Sequence, residues 1–344
     1  ADPVAILHRA SELDPEDPKI LSDLAAAVAK AGEPEQGLAM AREVTRRFPE
    51  SGEAAIACGQ ILSDLGRYDE ATDFFARVLR RVADKGASRL SLAGLQAAQG
   101  EFDLARKNYT RVLQVEPANV PAHAALAEIL LRKHDWPAGW GEFRWRFGLR
   151  PGLPPPSIVS LKSEKQPKVW SEGSLRKQRV FLAAERNLAE QVVFSSLVAE
   201  AERESRKLVL ECDQRLIPIM AASFPAVEIV PRGSMTEEGL QEREIQLVGS
   251  LGDLAGRLRA TDTDFPARAK PSLTADAARV AELRKVYETA ARGRALIGLS
   301  WRHGKEWPLW PSPLDAWRPL IESSDVLVVA LHPGPCEVEL AEFE

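Results

Sequence analysis

Cysteine, long apolar runs and an excess of charge of either sign are all scarce in this sequence. The 344 residues include three cysteines, which lie far apart and never form a CxxC pair. They are expected to be reduced core residues and not a disulfide framework or a metal site. No apolar run approaches the roughly 20 residues that cross a bilayer. A formal net charge of −5 gives no electrostatic reason to expect nucleic acid or an anionic membrane as a partner.

The common phosphate-binding motifs are absent too. Neither GxGxxG nor GxxxxGK followed by Ser or Thr occurs, which argues against the nucleotide-binding modules that those motifs mark. We expect a cytoplasmic protein without metal or cofactor, long enough for two or three domains. The chain begins at Ala1 without a methionine and ends just after a strand-like run at Val326–Leu331. We therefore expect a fragment of a longer protein.

A 34-residue period is the strongest pattern that is present. Gly32, Gly66 and Gly100 recur at this spacing, and other positions recur with them. Small residues follow five positions later (Gly37, Ala71, Ala105), ring-bearing residues follow two positions later (Pro34, Tyr68, Phe102), and Pro15, Pro49, Ala83 and Pro117 keep the same frame. Small residues let two helices cross closely, and prolines end one helical unit and begin the next. A fixed period of this length is typical of stacked helix–turn–helix units.

The pattern resembles the tetratricopeptide repeat. It places repeats at 18–51, 52–85, 86–119 and 120–153, with residues 1–14 as the second helix of an earlier, incomplete unit. An α-solenoid is therefore predicted over residues 1–150. In repeats of this family the first helix of each pair lines a groove that binds protein segments. Here that face is mildly apolar and rich in small residues, and it includes Ile56, Gln60, Leu90, Ala124 and Leu131. The alternative is that this alanine-rich face only packs within the solenoid.

Aromatic residues cluster where the solenoid ends. Trp136, Trp140, Phe143 and Phe147 are spaced to share one helix face, whereas Trp145 points elsewhere. Two interpretations stay open. This helix caps the solenoid core, or its aromatic face docks the solenoid on the domain that follows; both can hold together.

A different architecture is predicted after a Pro-rich linker at 151–168. Short β-branched runs then alternate with helical stretches, which favours a mostly parallel sheet with helices on both faces. Strands are predicted at 179–184, 207–211, 227–230, 244–248, 295–301 and 326–331, and helices at 188–205, 214–223, 251–259, 275–292 and 313–323. We divide this part into a first α/β lobe at 169–292 and the start of a second lobe at 293–344.

Four landmarks in order resemble a known family. They are Trp140-Gly-Glu-Phe-Arg-Trp-Arg-Phe147, Lys168-Val-Trp170-Ser-Glu-Gly, Val180-Phe-Leu-Ala-Ala-Glu185 and Ile297-Gly-Leu-Ser-Trp301-Arg-His-Gly-Lys305. Together they resemble bacterial tetratricopeptide-repeat proteins fused to a glycosyltransferase of the GT-B type, similar to the heptosyltransferase-like family. The resemblance implies two Rossmann-like lobes, the second of which is truncated in this chain. It also implies a nucleotide-sugar donor.

The resemblance assigns the donor diphosphate to polar residues at the end of the strand predicted at 295–301. Within six residues the sequence supplies the hydroxyl of Ser300, the planar guanidinium of Arg302 and the ammonium of Lys305. These groups can bind a leaving group that carries two phosphates. His303 in the same loop is a weaker candidate. For each of these residues an exposed loop side chain without a ligand is the alternative.

The loop after the first strand departs from the family. Relatives have a Gly-Leu-Gly-Asp type turn, whereas this chain has Asn187-Leu-Ala-Glu190. Glu190 is the expected general base, and the alternative is a surface glutamate at a helix N-terminus. Glu185 at the strand end is a second candidate base. Asn187 is expected in the donor loop because asparagine tolerates the left-handed conformation that the glycine would take.

Two functions remain open at this point. The first is a protein glycosyltransferase whose repeats recruit an acceptor protein and whose α/β lobes bind the nucleotide sugar. The second is a repeat scaffold for protein–protein interaction, whose transferase-like lobe is degenerate. Neither interpretation involves nucleic acid or a membrane span.

Overall fold

A row of antiparallel helices forms the N-terminal part of the molecule. The computed structural model describes residues 2–79, 86–148, 155, 157, 167–170, 173–266, 271–301 and 314–331. Its first helices are α1 (Pro3–Leu13), α2 (Pro18–Lys30), α3 (Pro34–Arg47), α4 (Gly52–Asp64), α5 (Tyr68–Val78), α6 (Gly86–Ala98), α7 (Phe102–Val115), α8 (Val120–Arg132) and α9 (Trp136–Phe143). The helix pairs coincide with the predicted repeats, and α1 is the second helix of the incomplete unit.

The helix starts and turns explain the 34-residue period. Asp17, Ser51 and Asn119 lie in register, and each side chain accepts a hydrogen bond from a backbone N–H in the first turn of α2, α4 or α8. Gly32, Gly66 and Gly100 have φ values of 104°, 72° and 81°, which glycine adopts at little cost. At the fourth equivalent position His134 takes a φ of 60°. The 34-residue period in the sequence therefore reflects the N-terminal caps and the left-handed turns that recur between the helices.

The repeated small residues lie where neighbouring helices touch. Ala71 and Ala105 are fully buried. A Cβ at Gly37 would come within 2.6 Å of the Ala25 carbonyl oxygen, and one at Gly139 would come within 2.7 Å of Leu131 Cδ2. These positions need small residues because no neighbouring atom can give way at such distances.

The solenoid ends in a 3-10 turn at Arg144–Phe147, which directly continues α9. The turn places Trp145 over the ring of His123 in α8, with the ring centroids 4.0 Å apart and the planes nearly parallel. Gly148 then leaves the turn with φ 73°. The 3-10 turn thus packs on the last repeat at the end of the solenoid, before the α/β domain begins.

A five-stranded parallel sheet follows, in the order β1-β5-β2-β3-β4. The strands are β1 (Lys168–Val169), β2 (Arg179–Ala183), β3 (Lys207–Cys212), β4 (Glu228–Pro231) and β5 (Leu247–Ser250). Val180 lies opposite Leu208 of β3 and Leu247 of β5. From β2 the chain moves outward to β3 and β4, then crosses back to place β5 on the other side of β2. The order therefore reverses between β2 and β5.

Short helices connect these strands, and the sheet is buried between them. They are α10 (Leu188–Phe194), α11 (Val198–Glu204), α12 (Ile217–Ser223), α13 (Glu237–Glu242) and α14 (Asp253–Leu258). Phe181, Val209 and Val248 are essentially inaccessible. Near-continuous apolar strands of this kind are typical of a parallel sheet covered on both faces. The predicted α/β domain is thus present as a parallel sheet with connecting helices.

Two compact units divide the chain. One comprises Ala1–Ile217 with Phe224–Ser272, so the solenoid and the five-stranded domain lie in the same unit. The other comprises Pro218–Ser223 with Leu273–Glu344. The second unit includes α15 (Ala277–Ala291), β6 (Ala295–Leu299), α16 (Arg318–Ile321) and β7 (Val326–Ala330), and β6 pairs in parallel with β7. Helix α15 groups with this pair, whereas the sequence division assigned it to the first lobe.

An aromatic cluster joins the solenoid to the five-stranded domain. Trp140 stands edge-on to Phe143 and to Phe194 of α10, and Trp136 packs on Phe265 with ring centroids 4.5 Å apart. The Trp140 indole N–H donates to the Arg259 carbonyl oxygen at 2.8 Å. Both interpretations of the aromatic face hold, because α9 packs on α8 and also on α14.

Candidate functional site

The first helices of the repeats present one open face. Gln60 of α4 and Ala124 of α8 are exposed, and Ile56, Leu90 and Leu131 are half-buried. We call these five positions the first-helix face. Buried side chains such as Cys58 and Leu62 occupy other positions of α4 and pack in the solenoid core. The face therefore combines partly accessible apolar surface with one polar side chain, that of Gln60.

Glu185 lies in the loop after β2 and is completely buried. The Arg146 guanidinium donates to both of its carboxylate oxygens, from Nε at 2.7 Å and from Nη2 at 2.8 Å. The backbone N–H of Gly252 donates to Oε1 at 2.6 Å. A general base needs an oxygen within reach of substrate. The expectation of a base at Glu185 does not fit this environment, and we assign the residue to the junction with the solenoid.

Arg146 is the centre of this junction. Its Nη1 also donates to Asp253 Oδ1 at 2.9 Å, and its guanidinium carbon lies 4.4 Å from the centre of the Phe143 ring and 4.5 Å from that of Phe147. Burial lowers the pKa of the guanidinium, but the hydrogen bonds and charges of Glu185 and Asp253 outweigh it and hold the pKa above its ordinary value. Arg146 is therefore a permanently charged side chain, paired in the interior.

The loop expected to hold the donor has a capping geometry. The Asn187 side chain accepts a hydrogen bond from the Glu190 N–H at 2.9 Å, and Asn187 has φ −132°. The left-handed backbone considered for Asn187 is not adopted. The Glu190 carboxylate pairs with Arg186 in the preceding turn, with one Nη2–Oε1 distance of 2.5 Å. Its side chain keeps 19% of its surface exposed.

Two buried polar residues at this edge were not anticipated. Glu211 at the end of β3 accepts the Ala184 N–H at 3.0 Å and the Gly233 N–H at 2.9 Å, which ties the loops after β2 and β4 together. The Gln191 amide donates to the Glu185 carbonyl oxygen and accepts from the Asp213 N–H. A glutamate inside an apolar strand is the sequence signal that could have singled out Glu211.

Arginines also follow the three strands β2, β3 and β4. Arg186 pairs with Glu190, and Arg215 pairs with Asp213 at 2.8 Å. The hydrogen bonds from Arg215 are the main cause that lowers the pKa of Asp213, and the charges of Arg215 and Arg232 lower it further. Arg232 donates to the Arg186 carbonyl oxygen at 3.1 Å. This edge of the sheet thus carries accessible cations among paired carboxylates.

A cavity of about 300 Å³ opens between α9 and the carboxyl ends of β1 and β5. Trp140, Phe143 and Trp170 form its apolar wall, and Arg144 and Asp253 supply charge. Both indole N–H groups are used, by the Arg259 and Gly173 carbonyl oxygens. Among the described residues no group of His, Cys, Asp or Glu is arranged to hold a metal ion.

The donor residues expected after β6 are only partly described. Ser300 directly follows β6 and is exposed. Arg302, His303 and Lys305 lie outside the described residues. Their expected part in binding a diphosphate stays a prediction.

Residues 28–97 match one family model of the tetratricopeptide repeat, and residues 90–139 match another. The N-terminal region is a tetratricopeptide-repeat solenoid. The crystal structure of TTC0263, a thermophilic tetratricopeptide-repeat protein of Thermus thermophilus, is similar over 41% of this chain and 77% of its own, at 20% identity and a TM-score of 0.37. That of YrrB, described as a tetratricopeptide-repeat protein with an unusual peptide-binding site, covers 43% of this chain and 77% of its own, at 19% identity and a TM-score of 0.35.

One curated relative extends beyond the repeats. Protein FlbA of Caulobacter vibrioides is 26% identical over 351 residues, which take in 95% of this chain. The chain spans 56% of the length of FlbA. Among the described residues no helix is long and apolar enough to cross a membrane.

Proposed function

We propose that the tetratricopeptide repeats recruit a protein partner and hold it beside the α/β domain. The observation that carries this proposal is the first-helix face, which stays open although the end of the solenoid is joined to the domain through buried contacts. Half-buried Ile56 and Leu90 and exposed Ala124 offer apolar contacts, and a repeat surface of this kind suits an extended segment or a helix of another protein.

The test places a bulky charge on the first-helix face. Peptides selected from a displayed random library would be measured for affinity to the wild type, to Ala124→Arg and to Ala76→Arg. Both alanines are exposed, but Ala76 lies on a second helix, α5, which makes it the matched control. We expect Ala124→Arg to weaken binding about tenfold or more, as loss of a central contact does. Equal affinity for the wild type and Ala124→Arg would contradict the proposal.

Glycosyl transfer to the recruited partner is the second candidate. The described residues form two separate parallel sheets, β1–β5 and the β6–β7 pair, and the resemblance to two-lobed transferases is supported to that extent. In that reaction Glu190 removes the proton from an acceptor hydroxyl, and the oxygen attacks the anomeric carbon. The bond to the diphosphate breaks, and Ser300, Arg302 and Lys305 stabilise the departing nucleoside diphosphate.

Release of nucleoside diphosphate tests this candidate. The protein would be incubated with UDP-, GDP-, dTDP- and ADP-sugars, alone and with a selected peptide that contains Ser or Thr. We expect release by the wild type, a loss of about tenfold or more in Lys305→Ala, and no change in Lys285→Ala, whose exposed lysine on α15 is the control. If no donor is turned over, the scaffold function stands alone. If Lys305→Ala is as active as the wild type, Lys305 does not stabilise the departing diphosphate.

A further inference from the structure

The strand order marks one place in the α/β domain where a ligand crevice is expected. The order β1-β5-β2-β3-β4 reverses between β2 and β5, so the loops that follow these two strands lead away in opposite directions. In open parallel sheets the crevice between two such loops takes the ligand. Here the loop after β2 contains Glu185, and the loop after β5 contains Gly252 and leads into Asp253, the first residue of α14.

In this protein a side chain of the solenoid fills that crevice. The Arg146 guanidinium reaches Glu185 on one side and Asp253 on the other, and only 2% of the side chain remains exposed. Gly252 fits because it has no side chain: a Cβ there would come within 2.9 Å of Glu185 Oε1 and 3.1 Å of Phe143 Cε1. The crevice is therefore shaped around the arginine fork and the carboxylate that receives it.

We infer that the crevice is a guanidinium-binding socket, which Arg146 occupies from within the same chain. Two carboxylates face the guanidinium, which also lies over the Phe143 and Phe147 rings. This arrangement complements a guanidinium because the group is planar, weakly hydrated and able to stack on aromatic rings. While Arg146 is bound, no external ligand enters between β2 and β5. The socket instead fixes the end of the solenoid on the sheet, and substrates of the domain bind at other parts of its edge.

Chemical rescue tests the socket. In Arg146→Ala, the buried Glu185 and the half-buried Asp253 lose their cation, and the segments 144–147 and 250–254 should open. We expect their amide hydrogen exchange to accelerate about tenfold or more, because an unpaired buried charge is strongly destabilising. Millimolar ethylguanidinium should slow exchange in both segments again, whereas equimolar ethylammonium or urea should not. Peptides of α4, far from the socket, should exchange alike in every sample.

Further variants separate the socket from a general loss of stability. Arg146→Lys keeps the charge without the fork, and ethylguanidinium should not rescue it because the lysine stem occupies the space. Gly252→Ala should open the same two segments with Arg146 intact, and this variant also serves if Arg146→Ala does not fold. The control is Gly256→Ala, whose Cβ would only touch Trp140 at 3.4 Å. Unchanged exchange in Arg146→Ala, or rescue by ethylammonium as effective as that by ethylguanidinium, would overturn the inference.

Discussion

At the scale of single residues, His123 connects the last repeat to its capping helix. Its Nε2 donates to the Pro117 carbonyl oxygen at 3.0 Å, and its Nδ1 pairs with the Glu142 carboxylate. The ring is also covered by Trp145. One side chain thus binds the end of the preceding repeat, the cap α9 and the 3-10 turn that follows.

We expect His123→Ala to lower the free energy of unfolding by about 2 kcal/mol, because two hydrogen bonds and a stacking contact are lost and Glu142 is left without its partner. Chemical denaturation measures this. The control is His8→Ala, because the His8 side chain is 67% exposed and pairs only with a neighbour in the same helix. Equal stabilities of the two variants would show that His123 does not hold the cap.

Residue roles were the part of the site that the sequence predicted least well. Glu185 follows a strand in the position of a candidate general base, but its partner Arg146 is 39 residues away, and Asp253 is 107 residues from that arginine. Local spacing carries no signal for such pairs. The polar loop residues Asn187 and Glu190 were correctly placed near a helix N-terminus, and their chemistry stays a prediction.

At the scale of elements, close helix crossings decide which glycines can be replaced. A Cβ at Gly59 of α4 would lie 2.2 Å from the Phe75 ring, and Phe75 is buried. Gly94 of α6 takes the repeat position of Gln60, one residue further along, and a Cβ there would meet only the Tyr109 hydroxyl, at 3.7 Å. A close helix crossing therefore requires glycine at position 59, whereas packing does not require it at position 94.

We expect opposite effects from alanine at these two positions. Gly59→Ala should lower the free energy of unfolding by about 1–3 kcal/mol through overpacking, whereas Gly94→Ala should raise it by about 0.5–1 kcal/mol because alanine favours the helix. Thermal and urea unfolding of both variants provides the comparison. Stabilisation by Gly59→Ala would mean that α4 and α5 do not cross as closely as described.

Elements with a strong period were predicted well, and short ones were not. The repeat helices follow from the caps, turns and small residues that recur every 34 positions. By contrast, β1 has two residues and α13 has six, too few for a period to appear. Strand β5 was predicted at 244–248 but runs from Leu247 to Ser250, because Glu244 has φ 48° and belongs to the preceding turn.

At the scale of the molecule, two buried thiols and a buried phenol make the folded state less stable at alkaline pH. Burial raises the pKa of Cys58 in the solenoid and of Cys212 in the sheet to about 11, and that of Tyr109 to about 12. The folded state therefore keeps these protons when the unfolded chain has lost them. The stability that results is complete below about pH 9, the ordinary range of a thiol, and declines as the pH rises toward 11.

We expect the free energy of unfolding to fall between pH 9 and about 11 by on the order of 1 kcal/mol per pH unit for each buried thiol. Cys58→Ala should be less stable at neutral pH because of the cavity, but its stability should fall less steeply over this interval. Urea unfolding at a series of pH values measures both slopes. Identical slopes for the variant and the wild type would contradict the account of Cys58.

The sequence predicted the two architectures and their order but not how they are joined. The aromatic spacing at the end of the solenoid indicated a cap or a docking face, and the structure combines the two. The strand order that creates the crevice between β2 and β5 depends on long-range pairing. The position of Arg146 in that crevice also depends on contacts between residues far apart in the sequence.

The proposed function requires that a protein partner bind along the first-helix face. Photo-cross-linking tests it most directly: a selected peptide carries a benzophenone side chain at each position in turn, and mass spectrometry locates the sites of attachment. The account predicts attachment to α4, α6 and α8, near Gln60, Leu90 and Ala124. Attachment confined to the second helices α3, α5 and α7, or to the α/β domain alone, would contradict it.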